Sequence, residues 1–280
     1  MTQLFFDRLR ARDAQVSSLL CVGLDPEPDR LPAPLRGAEP IDGIVEFLRR
    51  VIDATVDLVA AYKPNLAFYE ALGPRGLDAL FTVRQHIPRE VPVVGDAKRG
   101  DIDNTMRRYA AALFDVYDFD AVTASPYLGR DAIEPMAARP ERGVYLLCRT
   151  SNAGSGEIAD LAVTPGGAGV APRPLYLAIA EKVRTWNSSQ NLGLVVGATY
   201  PEELARVREV TPDLPILLPG VGAQGGLLEA SVKAGIDPRG GGLLVNASRQ
   251  VLFASGGDDY PEAARRAAQT LRERINRSRA

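Results

Sequence analysis

The stretch VPVVGDAKRGDIDNT, residues 91–105, contains the pattern that decides the fold. It begins with an apolar, valine-rich run, and that run ends among the charged residues Asp96, Lys98 and Asp101. A continuous apolar run, rather than an alternating one, is typical of a strand buried on both faces of a parallel sheet. We therefore predict a parallel strand at Val91–Lys98 with charged side chains at its carboxyl end.

Further apolar runs follow the same pattern, and most precede a loop and a helical segment. These runs are Ser18–Asp25, Leu58–Lys63, Ala121–Ser125, Gly143–Thr150, Leu192–Thr199, Pro215–Pro219 and Gly242–Asn246. The helical patterns are Ile41–Val56, Gly76–Ile87, Asp103–Val116, Arg130–Ala138, Pro174–Trp186, Pro201–Val210, Leu227–Lys233 and Tyr260–Asn276. Strands alternating with helices predict an α/β fold, a (β/α)8 TIM barrel in a single domain over residues 1–280. An open doubly wound sheet is the alternative that the pattern leaves open.

The net charge, the N-terminal sequence and the two cysteines indicate what class of protein this is. The formal net charge of -2 gives no indication of nucleic-acid or anionic-membrane binding. The N-terminal MTQLFFDRLRARDAQ has an amphipathic helical pattern and lacks the uncharged core of a signal peptide. No apolar run approaches the ~20 residues that span a bilayer. Cys21 and Cys148 lie in apolar runs, so we expect buried free thiols and a cytoplasmic protein.

One connection is unusually long. Residues 151–174, SNAGSGEIADLAVTPGGAGVAPRP, are rich in Gly, Ala and Pro and exceed the usual connection of a few residues. The segment is either a disordered insertion or a lid that closes over a ligand. Its position directly after a predicted strand favours the lid.

Polar side chains collect where the predicted strands end. Active sites of (β/α)8 barrels form at the carboxyl ends of the strands, so these side chains should converge on one pocket. They are Asp25, Lys63, Asp96, Lys98, Asp101, Ser125, Thr150, Ser151, the segment 219–226, Asn246, Ser248 and Arg249.

Lys98 is the most informative of these residues. Residues two apart on a strand face the same side, so Asp96 and Lys98 should project together into the mouth, and Asp101 can reach back from the loop. Nearby carboxylates favour the charged form of the lysine. A charged lysine is a poor Schiff-base nucleophile but a good proton donor and partner for a developing carbanion. A structural salt-bridge network at the rim fits the spacing equally well.

The segment PGVGAQGG, residues 219–226, suggests an anion site. Glycines allow close approach of the backbone to a phosphate, and Arg249 adds a cation after the next strand. Gly220, Gly222 and Gly225 also match the dinucleotide pattern G-x-G-x-x-G, but no βαβ unit with the required acid follows them. The single histidine, His86, leaves little support for a transition-metal site or a Ser-His-Asp triad.

Several motifs together resemble the orotidine 5′-phosphate decarboxylase family. DAKRGDIDNT resembles the family's Asp-x-Lys-x-x-Asp signature, with Asp96, Lys98 and Asp101 in its three positions. VVGATYPEEL at 195–204 and LLPGVGAQGG at 217–226 are similar to further family segments. The form DAKRGDI, with KPNLAFYE after the second strand and the long loop after the fifth, resembles the longer bacterial subgroup. The likeness covers most of the chain.

This resemblance implies a carboxy-lyase of pyrimidine biosynthesis. The expected enzyme is a barrel homodimer that converts orotidine 5′-monophosphate to uridine 5′-monophosphate and CO2 without a metal or organic cofactor. By motif position, Lys98 would protonate C6 and Asp96 would face the substrate carboxylate. Asp101 would reach the ribose of the substrate in the neighbouring subunit, and Thr105 would lie near that shared boundary.

The remaining roles also come from the resemblance. Asp25 and Lys63 would bind the ribose hydroxyls and join the charged array, and Ser151 would contact the pyrimidine edge. Gln224, the glycine loop with Gly222 and Gly225, and Arg249 would hold the phosphate. The chain departs from many relatives at Asn246-Ala247-Ser248, where those relatives have a glycine directly before the arginine. The alternatives are a magnesium-dependent phosphosugar decarboxylase and a non-catalytic nucleotide-binding barrel.

Overall fold

A computed structural model describes residues 3–36, 39–164, 171–221 and 227–279 of the chain. Eight parallel strands form one sheet in which the first strand pairs with the second and with the eighth, and the third to eighth strands pair in sequence order. The strands are β1 Leu20–Gly23, β2 Ala61–Lys63, β3 Val94–Arg99, β4 Ala121–Ala124, β5 Gly143–Arg149, β6 Leu192–Val196, β7 Ile216–Leu218 and β8 Leu243–Ala247.

The sheet closes between β2 and β3 through a looser contact than the other ladders. Tyr62 forms a parallel bridge with Val93, and Asn65 forms another with Asp96. The backbone N–H of Asp96 donates to the carbonyl of Pro64 at 2.9 Å. These contacts complete a (β/α)8 barrel, which confirms the predicted fold class.

The strands are buried because apolar side chains cover both of their faces. One cluster of apolar side chains fills the inside of the barrel, and a second packs between the strands and the helices. The inner set includes Cys21, Ala61, Val94, Ala121, Tyr145, Val195, Leu217 and Leu244. At the amino-terminal end, Phe5 and Phe6 of the first helix join this set, and the Phe6 ring packs edge-on against Tyr145 at 5.5 Å. The first helix thus closes one end of the barrel and leaves the site at the other.

The helices agree with the predicted patterns to within a few residues. They are α1 Phe5–Val16, α2 Pro40–Thr55, α3 Leu66–Glu70, α4 Pro74–His86, α5 Asp103–Ala110, α6 Arg130–Ala137, α7 Gly156–Ala159, α8 Leu175–Trp186, α9 Pro201–Val210, α10 Leu227–Gly235, α11 Arg249–Leu252 and α12 Tyr260–Arg279. Helix α5 continues as a π-helix over Ala111–Val116. The sequence patterns did not predict the short helices α3, α7 and α11. Across the described ranges, no helix has the length and apolarity to cross a membrane.

The long connection after β5 has structure of its own. A 3-10 turn at Ala153–Ser155 leads into α7, and Ala162–Val163 pairs antiparallel with Arg173–Pro174. Residues 165–170, between the two paired segments, lie outside the described residues. The described parts of this connection therefore have regular secondary structure. This differs from the disordered insertion that the sequence left open. Both cysteines are free and buried, as predicted.

Candidate active site

The carboxyl end of β3 is bulged. Val94 and Gly95 pair with Ala121 and Val122, but the next pair joins Arg99 to Ala124, so three residues of β3 stand opposite one residue of β4. Lys98 adopts the left-handed conformation, with φ of 47°, which is uncommon for a residue other than glycine. The prediction of a regular strand through Lys98 is wrong at this point. Bulges of this kind re-aim side chains next to active sites.

Asp96 lies between two lysines at the centre of the mouth. Its Oδ2 accepts from Lys63 Nζ at 2.8 Å, and its Oδ1 accepts from Lys98 Nζ at 2.6 Å. The Lys63 side chain is only 4% exposed, whereas that of Lys98 is 47% exposed. The predicted meeting of Asp96 and Lys98 is therefore confirmed, and the Lys98 side chain stays half exposed at the mouth. The bulge, rather than regular strand alternation, produces this geometry.

Lys63 and Asp96 stay charged over a wide pH range. Burial alone would lower the pKa of Lys63, but attraction to Asp96 and Asp25 outweighs burial and raises that pKa above its ordinary value. Burial would raise the pKa of Asp96, but Lys63 and Lys98 together hold it well below its usual range. The Asp96 contribution to stability is therefore present above about pH 4 and is lost as pH falls through the folded-state pKa. The Lys63 contribution is present below about pH 10 and is lost as pH rises through the folded-state pKa.

Asp25 lies beside this array at the end of β1. Its Oδ1 accepts from the backbone N–H of Asn65 at 3.1 Å, and Asn65 lies two residues after the end of β2. The Asn65 side chain in turn caps α3 by accepting from Ala67 N–H at 3.1 Å. The short helix α3 thus fixes the loop that holds Asp25, so the charges alternate from Asp25 through Lys63 and Asp96 to Lys98. Sequence reasoning missed Asn65, although it lies within the quoted segment KPNLAFYE.

A cavity of about 660 Å³ opens between the ends of β1, β7 and β8. Its lining includes Asp25, Arg30, Gly220, Ser248 and Arg249. Arg249 is exposed and begins α11, where a guanidinium can meet an anion. Ser248 Oγ is buried and has no hydrogen-bond partner within the described part of the chain, as is also true of Asn246 Oδ1. The predicted phosphate residues Gly222, Gln224 and Gly225 lie outside the described residues.

Ser151 lies at the rim between β5, β6 and β7. A Cβ atom on Gly197 would come within 2.7 Å of Ser151 Cβ, and one on Gly220 would come within 3.3 Å of its Oγ. Thr199 Oγ1 donates to the Ser151 carbonyl at 3.4 Å. The missing side chains of the two glycines therefore admit Ser151 to the mouth, on the side away from Asp25.

Asp101 and Thr105 do not join the array of their own chain. Asp101 Oδ1 accepts from the backbone N–H of Ile102 at 2.8 Å, and no ion pair links Asp101 to a lysine in the described ranges. Thr105 is exposed in the first turn of α5. Ile102, between them in sequence, and Tyr127, after β4, are 58% and 86% exposed. The expectation that Asp101 reaches back to its own lysine is not met in this chain.

Thr123 was also missed from sequence. It lies 1% exposed in the apolar run of β4, and its hydroxyl donates to Asp96 Oδ1 at 2.8 Å. The available signal was a single hydroxyl residue within the otherwise apolar AVTA.

Within the described residues, no group of three or more His, Cys, Asp or Glu side chains could hold a metal ion.

The comparisons with known proteins place this geometry in one family. Residues 18–267 match the family described as Orotidine 5'-phosphate decarboxylase / HUMPS family. The chain is 52% identical to an orotidine 5'-phosphate decarboxylase of Thermomicrobium roseum over 98% of this chain and 96% of that one. It is 49% identical to the Azoarcus enzyme of the same name, over 97% of this chain and 98% of that one. A solved Leishmania donovani OMP decarboxylase superimposes with a TM-score of 0.85 at 42% identity, covering 99% of both chains. The chain therefore belongs to the orotidine 5'-phosphate decarboxylase / HUMPS family.

Proposed function

We infer that the chain decarboxylates orotidine 5′-monophosphate to uridine 5′-monophosphate and CO2, as a carboxy-lyase of pyrimidine biosynthesis. The observation that carries this inference is the Lys63–Asp96–Lys98 array, with Nζ–Oδ distances of 2.8 and 2.6 Å, at the mouth of the barrel. A purely structural network would not need an ammonium group half open to a ligand.

Lys98 supplies the proton in this proposal. The bond between C6 and the carboxylate carbon breaks, its electron pair stays on C6, and CO2 leaves. The Lys98 ammonium stabilises the developing carbanion and then transfers one proton to C6. An ammonium group has three donors, and Asp96 occupies one of them in the structure, so others are free for the substrate.

Asp96 and Lys63 fix this acid in place. Asp96 joins both ammonium groups, and the buried Lys63 neutralises it from the side away from solvent. A preorganised array of this kind costs no reorganisation when the carbanion forms. Asp96 would also lie beside the departing carboxylate, and their mutual repulsion disfavours the bound ground state relative to the transition state.

The remaining groups bind the distant parts of the nucleotide. We assign the ribose hydroxyls to Asp25 and Lys63, the pyrimidine edge to Ser151, and the phosphate to Arg249 with Gly222, Gln224 and Gly225. The cavity beside Asp25 and Arg249 supports this direction of binding. The segment 151–174 would then close over the pyrimidine as a lid, because Ser151 begins it at the rim. Free thiols at Cys21 and Cys148 are consistent with a reducing, cytoplasmic location.

One assay tests the reaction. Purified protein is mixed with orotidine 5′-monophosphate in metal-free buffer containing EDTA, and the fall in ultraviolet absorbance is followed while the product is identified chromatographically. We expect stoichiometric uridine 5′-monophosphate at a rate unaffected by the chelator. Absence of product from folded protein would refute the proposal, and loss of activity with EDTA would favour the magnesium-dependent alternative.

We further propose a homodimer in which Asp101 and Thr105 complete the partner's site. The support is the exposure of Thr105 and of the apolar side chains that follow β3 and β4, among which Ile102 is 58%, Tyr127 86% and Leu128 45% exposed. In a twofold-symmetric homodimer, each of the two sites would take Lys98 from one chain and Asp101 from the other.

Mixing two inactive variants tests this arrangement. Lys98→Ala and Asp101→Ala chains, unfolded together and refolded in equal amounts, should form hybrid dimers with one intact site each. About a quarter of the wild-type activity should return, since half of the dimers are hybrids and each has one working site. Each variant refolded alone is the control. A mixture no more active than the separate variants would contradict shared sites.

A further inference from the structure

Thr123 makes two hydrogen bonds that both lead to Lys98. Its hydroxyl accepts from the backbone N–H of Lys98 at 2.9 Å and donates to Asp96 Oδ1 at 2.8 Å. The residue is 1% exposed, so water cannot replace either partner. A buried hydroxyl is costly unless it is bonded, and here both bonds serve the proposed proton donor.

The first bond stabilises an unusual backbone. In the β3–β4 ladder no register pair lies between Gly95–Val122 and Arg99–Ala124, and Thr123 faces the bulged residues. The Lys98 N–H therefore uses a side-chain oxygen where a regular ladder would offer a carbonyl. Lys98 keeps φ of 47°, a strained conformation that persists only when its surroundings fix it.

The second bond fixes the other end of the same lysine. Asp96 Oδ1 accepts from both the Thr123 hydroxyl and Lys98 Nζ, the latter at 2.6 Å. A closed path of hydrogen bonds thus runs from the Lys98 amide through the hydroxyl and the carboxylate to the Lys98 ammonium. One hydroxyl thus contacts both the Lys98 backbone and the carboxylate that binds the Lys98 amine.

We propose that Thr123 is a positioning residue for proton transfer by Lys98. It acts through Asp96 and Lys98 and sets the direction of the ammonium group relative to C6. This role rests on the proposed function, because it presumes that Lys98 protonates C6. Loss of the hydroxyl should therefore slow the chemical step and leave nucleotide binding nearly unchanged, since the phosphate and ribose contacts lie elsewhere.

The test compares Thr123→Val with Thr123→Ser. Valine has nearly the same shape and removes both hydrogen bonds, so kcat should fall about 10- to 100-fold with KM and the affinity for uridine 5′-monophosphate nearly constant. Serine keeps the hydroxyl and should restore most of kcat. Thr211→Val is the matched control, because Thr211 is 0% exposed and its hydroxyl donates to the Val207 carbonyl, far from the mouth. That control should lower stability without changing kcat.

The outcomes separate this role from general stability and from the proposed function. A folded Thr123→Val protein with kcat within about twofold of wild type would overturn the role, as would an equal loss in Thr123→Ser. If valine prevents folding, Thr123→Cys provides a weaker donor and acceptor, and its kcat should lie below that of serine; a wild-type value there would also overturn the role. Wild-type protein that forms no uridine 5′-monophosphate would instead refute the proposed function.

Discussion

The two ends of the barrel each bury an aspartate between two cations. At the mouth, Asp96 lies between Lys63 and Lys98. At the closed end, Asp120 lies between Arg8, whose Nη2 is 2.6 Å from Oδ1, and Arg84, whose Nη2 is 3.6 Å from Oδ2. Asp120 Oδ2 also accepts from the backbone N–H of Val93 at 3.0 Å. The same pattern of charges thus occurs at both ends of one sheet.

The two clusters differ in the kind of cation and in what lies beyond it. A guanidinium does not give up its proton in a protein, and the remaining donors of Arg84 reach the Asp118 carbonyl and carboxylate. Arg8 comes from α1, the helix that closes this end, so the closed cluster joins α1 to the barrel. At the mouth, Lys98 is half exposed and forms an ion pair with no carboxylate other than Asp96 among the described residues. An identical charge order therefore stabilises structure at one end and, in the proposed function, serves proton transfer at the other.

The largest contrast should come from removing Lys98. Lys98→Ala should lower kcat by at least ~10²–10⁴, because the proton donor and the charge opposite the carbanion both disappear. Its free energy of unfolding should change little, since the side chain is 47% exposed and Lys63 still neutralises Asp96. Turnover measured beside a urea unfolding curve checks both expectations.

Two further variants test whether the loss of turnover is due to the transferable proton of Lys98. Lys98→Arg keeps the positive charge but has no transferable proton, so it should remain nearly as slow as the alanine variant. Lys182→Ala removes an exposed lysine on α8 and should leave both quantities unchanged. Near-normal turnover in either Lys98 variant would mean that another group protonates C6.

A substitution at the closed end should lower the free energy of unfolding and leave kcat unchanged, which is the reverse of the Lys98→Ala effect. Asp120→Asn leaves Arg84 and Arg8 without their buried anion, so the free energy of unfolding should fall by about 3 kcal/mol. We take the low end of the usual range because the Arg8 side chain is still 34% exposed. The kcat of the folded fraction should not change. Chemical denaturation and turnover at 25 °C, where the variant remains folded, measure the two effects.

Asp118→Asn is the matched control for this variant. Asp118 also meets Arg84 and Arg142, at 3.2 and 3.1 Å, but its side chain is 46% exposed. An exposed pair contributes at most about 1 kcal/mol, so the control should cost much less. Equal losses in the two variants would show that burial is not what distinguishes Asp120.

The sequence predicts where the charged residues lie better than it predicts how they are held. The apolar runs and the polar residues at their ends placed Asp25, Lys63, Asp96 and Lys98 together, because parallel strands must bring their carboxyl ends to one side. The bulge at Lys98 was not predictable, since the hydroxyl that accepts from the Lys98 N–H belongs to Thr123 of the neighbouring strand. A left-handed lysine has no local signal comparable to a glycine.

The charged cluster at the closed end was also not predictable from the sequence. Arg8, Arg84 and Asp120 are separated by long stretches of sequence, and none lies in a motif that distinguishes it from surface charges. Only tertiary packing brings α1, the end of α4 and the start of β4 together. Likewise, α3 and α11 were missed because helices of five and four residues have too few turns for a periodic pattern.

The smallest expected effect tests how much the kind of cation matters at the closed end. Arg8→Lys keeps a charge beside Asp120 and loses the contact of the guanidinium with the Phe5 ring, whose centroid is 6.0 Å from Cζ. Since Arg84 and the Val93 N–H still bind the carboxylate, the free energy of unfolding should fall by less than about 1 kcal/mol, with kcat unchanged. Matched denaturation curves for wild type, Arg8→Lys and Arg8→Ala resolve this difference. A loss as large as that of Asp120→Asn would show that the closed end depends on the geometry of arginine and not on charge alone, so the two clusters would differ in more than the transferable proton.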